Sequence, residues 1–244
     1  MNNIIFSFII TFIAGFSTLL GFLLVFKKKN KNIIISSLAF AAGIMLTVSL
    51  IDLLPESFKL LITTNSPFKT ILISFVFVLI GMIISSIINK YIKVDNKLFE
   101  VGILSMIVII LHNIPEGIIT FVTATSDMKL GIILAIALTL HNIPEGISIS
   151  VPIYYATNSK IKAFLYTFIS ALSEPFGAFI TYLFLKNYVN NVNMGMLFSL
   201  IAGIMTYISI FELLPTSFSY RKKIITIVSF MIGVIFMLVT HFCL

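Results

Sequence analysis

Eight long apolar segments follow one another along the chain, and only short polar stretches separate them. They fall at about residues 4–26, 33–58, 70–92, 99–124, 130–156, 161–187, 194–218 and 223–243. Each is long enough to cross about 30 Å of hydrocarbon at about 1.5 Å per residue. Because backbone groups in lipid need internal hydrogen bonds, segments this long are helices and not barrel strands. The sequence therefore predicts an all-α integral membrane protein with eight transmembrane helices, in which residues 1–244 form a single domain.

The composition agrees with a lipid environment. Hydrophobic residues make up 59% of the chain and charged residues only 10%, whereas a soluble domain has about 25% charged residues. The net charge of +7 comes from short basic clusters between apolar segments, a pattern that indicates membrane topology and not nucleic-acid binding. Lysines follow the first segment instead of preceding it, so we expect a retained span and not a cleaved signal. Cys243 is the one cysteine, which excludes an internal disulfide and a thiolate-rich metal site.

The basic residues also predict the orientation of the spans. Loops 1–2, 3–4, 5–6 and 7–8 contain twelve of the sixteen lysines and arginines, and the other loops and span ends contain four. Because basic loops stay in the cytoplasm, we expect these four loops to be cytoplasmic and both termini to lie outside.

Two stretches of the chain repeat. Residues 51–58 (IDLLPESF) match residues 211–218 (FELLPTSF) at an offset of 160, and TFIAGFSTLLG from Thr11 matches TFISALSEPFG from Thr167 at an offset of 156. Spans 1–3 therefore correspond to spans 6–8, and span 4 pairs with span 5. The members of each pair cross the membrane in opposite directions. Such an inverted repeat is typical of secondary transporters, whose substrate site lies near the bilayer midplane.

The hexapeptide HNIPEG occurs twice, at residues 112–117 in span 4 and at 141–146 in span 5. Within each copy the histidine and glutamate are four residues apart and the asparagine and glutamate are three apart, so all three side chains share one helical face. Pro115 and Pro144 each remove a backbone donor, and we expect a kink at both. The candidate ligands from the two faces are His112, Asn113, Glu116, His141, Asn142 and Glu145.

Buried carboxylates strengthen this interpretation. Six of the nine acidic residues lie within or at the ends of spans, where an unpaired charge costs about 3 kcal/mol or more. Counting residues from the span ends puts His112, His141 and Glu174 at nearly the same depth. Imidazole, amide and carboxylate ligands without sulfur favour Zn²⁺, Fe²⁺, Mn²⁺ or Co²⁺. The two glutamates could also bridge two metal ions.

Other polar residues permit two interpretations. A single membrane histidine or a single Asn-Pro-Glu would more often be structural, but two copies and a third carboxylate at matching depth favour a metal. Asp52 and Glu212 are either carboxylates of the transport pathway or charged residues at span ends. We expect Glu56 at the outer surface and His241 at the membrane interface.

With these motifs, the chain resembles the ZIP (Zrt-, Irt-like protein) family of metal-ion transporters, in particular its bacterial and GufA-like branches. The resemblance rests on the eight spans, the HNIPEG copies in spans 4 and 5, and the SEP sequence that contains Glu174. It implies zinc uptake into the cytoplasm, often with tolerance for iron, manganese, cobalt or cadmium. The histidine-rich loop between spans 3 and 4 of many relatives is missing, since residues 91–99 contain no histidine.

The resemblance also implies a binuclear centre. One metal would bind His112, Glu116, His141 and Glu145, and the other would bind Asn113, Asn142 and Glu174 with the shared glutamates. Some family members have glutamine and aspartate in place of His141 and Asn142, so we expect these two positions to affect the second metal. The family further implies a homodimer in which spans 1, 4, 5 and 6 move against spans 2, 3, 7 and 8.

Two alternative functions remain open from the sequence. An intramembrane zinc protease would be expected to contain HExxH, with the glutamate next to the first histidine as the base, and this chain has no such string. A metal-sensing membrane protein would need neither the inverted repeat nor the midplane site. We therefore predict a transporter with no catalytic cofactor, in which the divalent metal is the cargo.

Overall fold

The structure is a computed structural model that describes residues 2–92, 94–185 and 190–243. The described residues form helices and no strand, as predicted. Within these described residues, eight helices are long and apolar enough to span a membrane: α1 (Asn3–Phe26), α2 (Lys31–Leu61), α3 (Pro67–Tyr91), α4 (Lys97–Ser126), α5 (Met128–Thr157), α6 (Lys160–Phe184), α7 (Asn191–Ser219) and α8 (Lys223–Cys243). We call the ends that the sequence predicts to face the cytoplasm the inner ends.

Four of the spans change their hydrogen-bonding pattern along their length. The first is α-helical over Asn2–Phe16 and 3₁₀-helical over Ser17–Phe26. The second is α-helical over Lys31–Thr47 and Leu54–Leu61, with a π-helical turn at Val48–Leu53 between them. The sixth consists of Lys160–Ala171, Ser173–Ile180 and a π-helical turn at Thr181–Leu185. The seventh consists of Asn191–Ile208, a π-helical turn at Ser209–Leu213, and Leu214–Ser219.

The π-helical turns of α2 and α7 precede the two Leu-Leu-Pro sequences. The Leu54 N–H donates to the Ser49 carbonyl, and the Leu214 N–H donates to the Ser209 carbonyl, five residues back in each case. Pro55 and Pro215 are each the second residue of the α-helical part that follows the π-helical turn. Such turns are frequent at functional sites.

The helices α4 and α5 run without interruption through Pro115 and Pro144. One missing N–H interrupts only one hydrogen bond, and the flanking bonds keep each helix continuous. The kink expected at each of these prolines stays a prediction. The changes of helix type lie in α1, α2, α6 and α7.

The eight spans pack as two groups. Group A consists of α1, α4, α5 and α6, and group B consists of α2, α3, α7 and α8. In group A, α4 packs on α5 and α6, and α1 packs on α5; in group B, α2 packs on α8 and α3 packs on α7. The groups meet mainly where α2 contacts α5. The same grouping was implied by the family resemblance.

Buried hydroxyl groups of group B follow the sequence repeat. Ser57 Oγ donates to the Gly195 carbonyl at 2.7 Å, and Ser217 Oγ donates to the Ile35 carbonyl at 3.0 Å. The two donors, Ser57 and Ser217, are 160 residues apart, and so are the two acceptors, Ile35 and Gly195. This is the offset found in the sequence repeat. These contacts support the inverted repeat, which stays a prediction together with the orientation of the termini.

Candidate metal centre

The histidines and glutamates of the two hexapeptides contact one another between α4 and α5. His112 Nε2 lies 2.7 Å from Glu145 Oε1 and 3.8 Å from Glu116 Oε2. His141 Nε2 lies 3.1 Å from Glu116 Oε1. All four side chains are buried. Each histidine therefore contacts the glutamate of the other motif, and Glu116 lies between the two imidazoles.

Asn142 and Glu174 lie next to this cluster and contact each other. The Asn142 side-chain nitrogen donates to Glu174 Oε1 on α6 and, at 2.9 Å, to the Ala14 carbonyl on α1. Glu174 and both asparagines of the hexapeptides are buried. Asn113 makes no side-chain hydrogen bond among the described residues. The asparagines of the two motifs therefore have different surroundings.

Several buried polar atoms of these seven residues have no hydrogen-bond partner within the described part of the chain. A buried donor or acceptor without a partner costs about 1 to 3 kcal/mol, and such atoms are rare unless they have a function. Most of these atoms are oxygens, which suit a cation. They are His112 Nδ1, Asn113 Nδ2 and Oδ1, Glu116 Oε2, His141 Nδ1, Asn142 Oδ1, Glu145 Oε2 and Glu174 Oε2.

The donor set fits zinc, although its side chains are now paired with one another. Among the described residues, no three His, Cys, Asp or Glu side chains form a ready-made cage around one point. A tetrahedral zinc with bonds of about 2.0 to 2.1 Å holds its ligand atoms about 3.3 Å apart. The three imidazole–carboxylate distances of 2.7, 3.1 and 3.8 Å lie on both sides of that value.

Close helix packing brings Glu174 to the hexapeptides. A Cβ atom on Gly117 would lie 2.0 Å from the Glu174 carbonyl oxygen, and one on Gly177 would lie 2.1 Å from the Ile114 carbonyl oxygen. No side chain fits at either position, so α4 and α6 touch through their backbones. Small residues at helix interfaces allow this approach in membranes.

Asp52 and Glu212 lie outside the cluster, in the π-helical turns of α2 and α7. Asp52 Oδ1 contacts His241 Nδ1 on α8. Glu212 accepts a hydrogen bond from Asn89 on α3 and contacts Lys97 Nζ on α4 at 3.0 Å.

The partners of these polar groups were not predicted from the sequence. They are Ala14 for Asn142, His241 for Asp52, and Asn89 and Lys97 for Glu212. A backbone carbonyl that accepts a side-chain hydrogen bond cannot be recognised in a sequence. His241, Asn89 and Lys97 lie near span ends, where polar residues are common and do not by themselves indicate a contact.

Sequence comparisons place these features in a known family. A family model described as ZIP zinc transporter matches residues 94–241, which include both hexapeptides and Glu174. Three similar proteins are each named zinc transporter ZupT. The one from Clostridium perfringens is 38% identical, over 98% of this chain and 96% of its own length. Those from Streptococcus mutans and Oceanobacillus iheyensis are 40% and 39% identical, over 96% and 91% of both chains respectively.

Proposed function

Because the chain belongs to the ZIP zinc transporter family, we propose that it takes up Zn²⁺ into the cytoplasm through the His/Asn/Glu cluster of group A. The chain is a multi-pass protein of the cell membrane, and its family is one of transporters and not of enzymes. The observation that carries the proposal is the buried contact of two imidazoles with two carboxylates, beside further unpartnered oxygens. Divalent cations bound there would satisfy these imidazoles and oxygens.

The first metal binds His112, Glu116, His141 and Glu145. Imidazole and carboxylate ligands suit zinc, and four of them complete a tetrahedral shell. Their burial supports this assignment, because a carboxylate in a low-dielectric interior needs a compensating positive charge. Glu116 contacts both histidines and is the residue on which the site depends most.

The second metal binds Asn113, Asn142 and Glu174 and shares Glu116 and Glu145. Asn142 Oδ1 and Glu174 Oε2 are buried oxygens without a partner among the described residues, which supports their assignment as ligands. This site contains amide and carboxylate oxygens and no imidazole of its own. We therefore expect it to bind zinc more weakly than the first site.

The same ligand chemistry accepts Fe²⁺, Mn²⁺, Co²⁺ or Cd²⁺ as further cargo. Movement of group A against group B exposes the site to each side of the membrane in turn, as an inverted repeat permits. Asp52 and Glu212 are carboxylates of the pathway at the outer and inner ends. The protein is a homodimer in lipid.

Uptake of zinc by purified protein in liposomes tests this function. We expect Zn²⁺ influx in the wild type and its loss in Glu116→Ala and His112→Ala. Glu56→Gln is the matched control, because Glu56 is a more exposed carboxylate that pairs with Lys59 at 3.1 Å on the same helix. Competition of Fe²⁺, Mn²⁺, Co²⁺ and Cd²⁺ with Zn²⁺ during uptake gives the order in which the protein prefers these metals.

Two other results would indicate a different function. Metal binding without influx would favour a sensor, and cleavage of a peptide substrate would favour a metalloenzyme. Equal zinc influx in the wild type and in Glu116→Ala would show that the cluster is not part of the transport pathway.

A further inference from the structure

The two carboxylates of the π-helical turns have corresponding partners. Asp52 contacts His241 on α8, and Glu212 contacts Asn89 on α3. Asp52 and Glu212 are 160 residues apart, and Asn89 and His241 are 152 apart. Both pairs lie inside group B, so neither joins the two groups.

The 152-residue offset also relates a second pair on the same helices. Ser74 on α3 contacts Ser57 at 3.3 Å, and Thr226 on α8 contacts Ser217 at 3.0 Å. The offset between α3 and α8 is therefore the same at two positions. The Asp52–His241 contact at the outer end and the Glu212–Asn89 contact at the inner end are thus equivalent under the sequence repeat.

Lys97 breaks this equivalence. Its Nζ lies 3.0 Å from Glu212 Oε2 and 2.7 Å from Glu100 Oε1. Lys97 is the first residue of α4 in group A, whereas Glu212 belongs to group B. Position 126, which corresponds to Lys97 through the 29-residue offset of the hexapeptides, is a serine. The outer carboxylate therefore has no corresponding lysine.

The ion pair is partly shielded from water. The Glu212 side chain is only 5% exposed, although the Lys97 side chain is 56% exposed. A fully exposed pair contributes little, but loss of the cation from a buried carboxylate is costly. Asn89 also donates to Glu212 and holds the carboxylate in place for Lys97.

We propose that the Lys97–Glu212 ion pair is a latch that holds group A against group B at the inner end and that has to open during each transport cycle. This inference rests on the proposed movement of the two groups. A slide of a few ångströms would separate two atoms that are now 3.0 Å apart. The latch stabilises the arrangement seen here and slows the departure from it.

A second contact between the groups also lies at the inner end. The Tyr155 hydroxyl on α5 donates to the Asn30 carbonyl and accepts from the Asn30 N–H, both at 2.9 Å. Asn30 lies in the short loop that connects α1 of group A to α2 of group B. The covalent chain therefore keeps Asn30 close to both groups. Lys97 and Glu212, by contrast, are 115 residues apart, so their contact depends on how the groups are placed.

The test compares Lys97→Met and Lys97→Arg with the wild type. Amide hydrogen exchange at residues 98–102 and 209–214 reports opening of the inner end without any need for transport. We expect Lys97→Met to exchange at least about fivefold faster there. Lys97→Arg keeps the ion pair and should exchange like the wild type.

Zinc influx and zinc affinity, measured on the same proteins, complete the test. The latch predicts faster initial influx in Lys97→Met with an unchanged affinity, and the wild-type rate in Lys97→Arg. Lys59→Met is the matched control, since Lys59 pairs only with Glu56 of its own helix among the described contacts.

Unchanged exchange in Lys97→Met, or equally fast exchange in Lys97→Arg, would overturn the latch. Slower influx in Lys97→Met would also contradict it. If the wild type shows no influx, the proposed function fails, while the exchange experiment still decides whether the ion pair holds the inner end closed.

Discussion

The side-chain nitrogen of Asn142 donates to the carbonyl oxygen of Ala14 at 2.9 Å, which links the second hexapeptide to the first span. The same nitrogen donates to Glu174. Both neighbours are acceptors, so only the NH₂ group of the amide fits between them. The Asn142 oxygen therefore faces away from them, as a buried atom that is available to a metal.

Ala14 lies close to the point where α1 changes its helix type. The α-helical part ends at Phe16 and the 3₁₀-helical part begins at Ser17. The Ala14 oxygen accepts from Ser17 Oγ at 2.6 Å as well as from Asn142.

Asn142→Asp tests this orientation. It places a carboxylate opposite the Ala14 carbonyl and the Glu174 carboxylate, and we expect the metal-free protein to lose about 2 kcal/mol or more of stability. Zinc offsets the repulsion, so its addition should raise the melting temperature more in the variant than in the wild type. Thermal unfolding in detergent with and without zinc measures both effects. An unchanged melting temperature of the metal-free variant would contradict the proposed orientation.

Glu116→Gln and Glu145→Gln should differ in zinc affinity. Glu116 contacts both imidazoles, whereas Glu145 contacts His112 alone. We expect Glu116→Gln to weaken zinc binding at least about 100-fold and Glu145→Gln to weaken it less. Equilibrium competition with a chromogenic chelator gives both affinities. Equal losses in the two variants would show that Glu116 is not the central ligand.

Gly117→Ala should damage the second metal site more than the first. The added Cβ would lie 2.0 Å from the Glu174 carbonyl oxygen, so α6 has to move away and take Glu174 with it. We expect zinc stoichiometry to fall from two to one per chain, with the tighter affinity mostly retained. Elemental analysis and binding isotherms measure the two quantities.

Gly43→Ala is the control for that variant. Its Cβ would lie 2.3 Å from the Phe230 carbonyl oxygen at the α2–α8 contact of group B. The steric conflict is similar, but the metal cluster lies in group A. Gly43→Ala should therefore lower stability without changing zinc stoichiometry, and a loss of stoichiometry in both variants would point to a general packing effect.

Much of this architecture could be predicted from local sequence. Apolar segments located all eight spans, but most helices begin two or three residues earlier than the apolar segments do. The first turns are polar because side chains of Asn30, Ser66, Asn96, Asp127, Ser159 and Asn190 cap them. Helical spacing likewise predicted that the side chains of each hexapeptide share a face.

Contacts between helices were harder to predict. Helical periodicity gives the face on which His112 lies, but it does not show that His112 meets Glu145 instead of Glu116 at hydrogen-bond distance. That choice depends on how α4 and α5 are placed along each other. Lys97 reaches Glu212 for the same kind of reason, since the packing of α4 near α7 decides it.

Asp52→Asn tests the role of the outer carboxylate. Asp52 is partly exposed and contacts only His241 among the described side chains, so its charge can attract cations before they reach the buried cluster. We expect the variant to raise KM for zinc about two- to fivefold with little change in the maximal influx. Because salt screens exposed charges, the difference from the wild type should shrink as ionic strength rises. Influx measured over a range of zinc and salt concentrations checks this, and a lower maximal rate with unchanged KM would instead assign Asp52 to the conformational step.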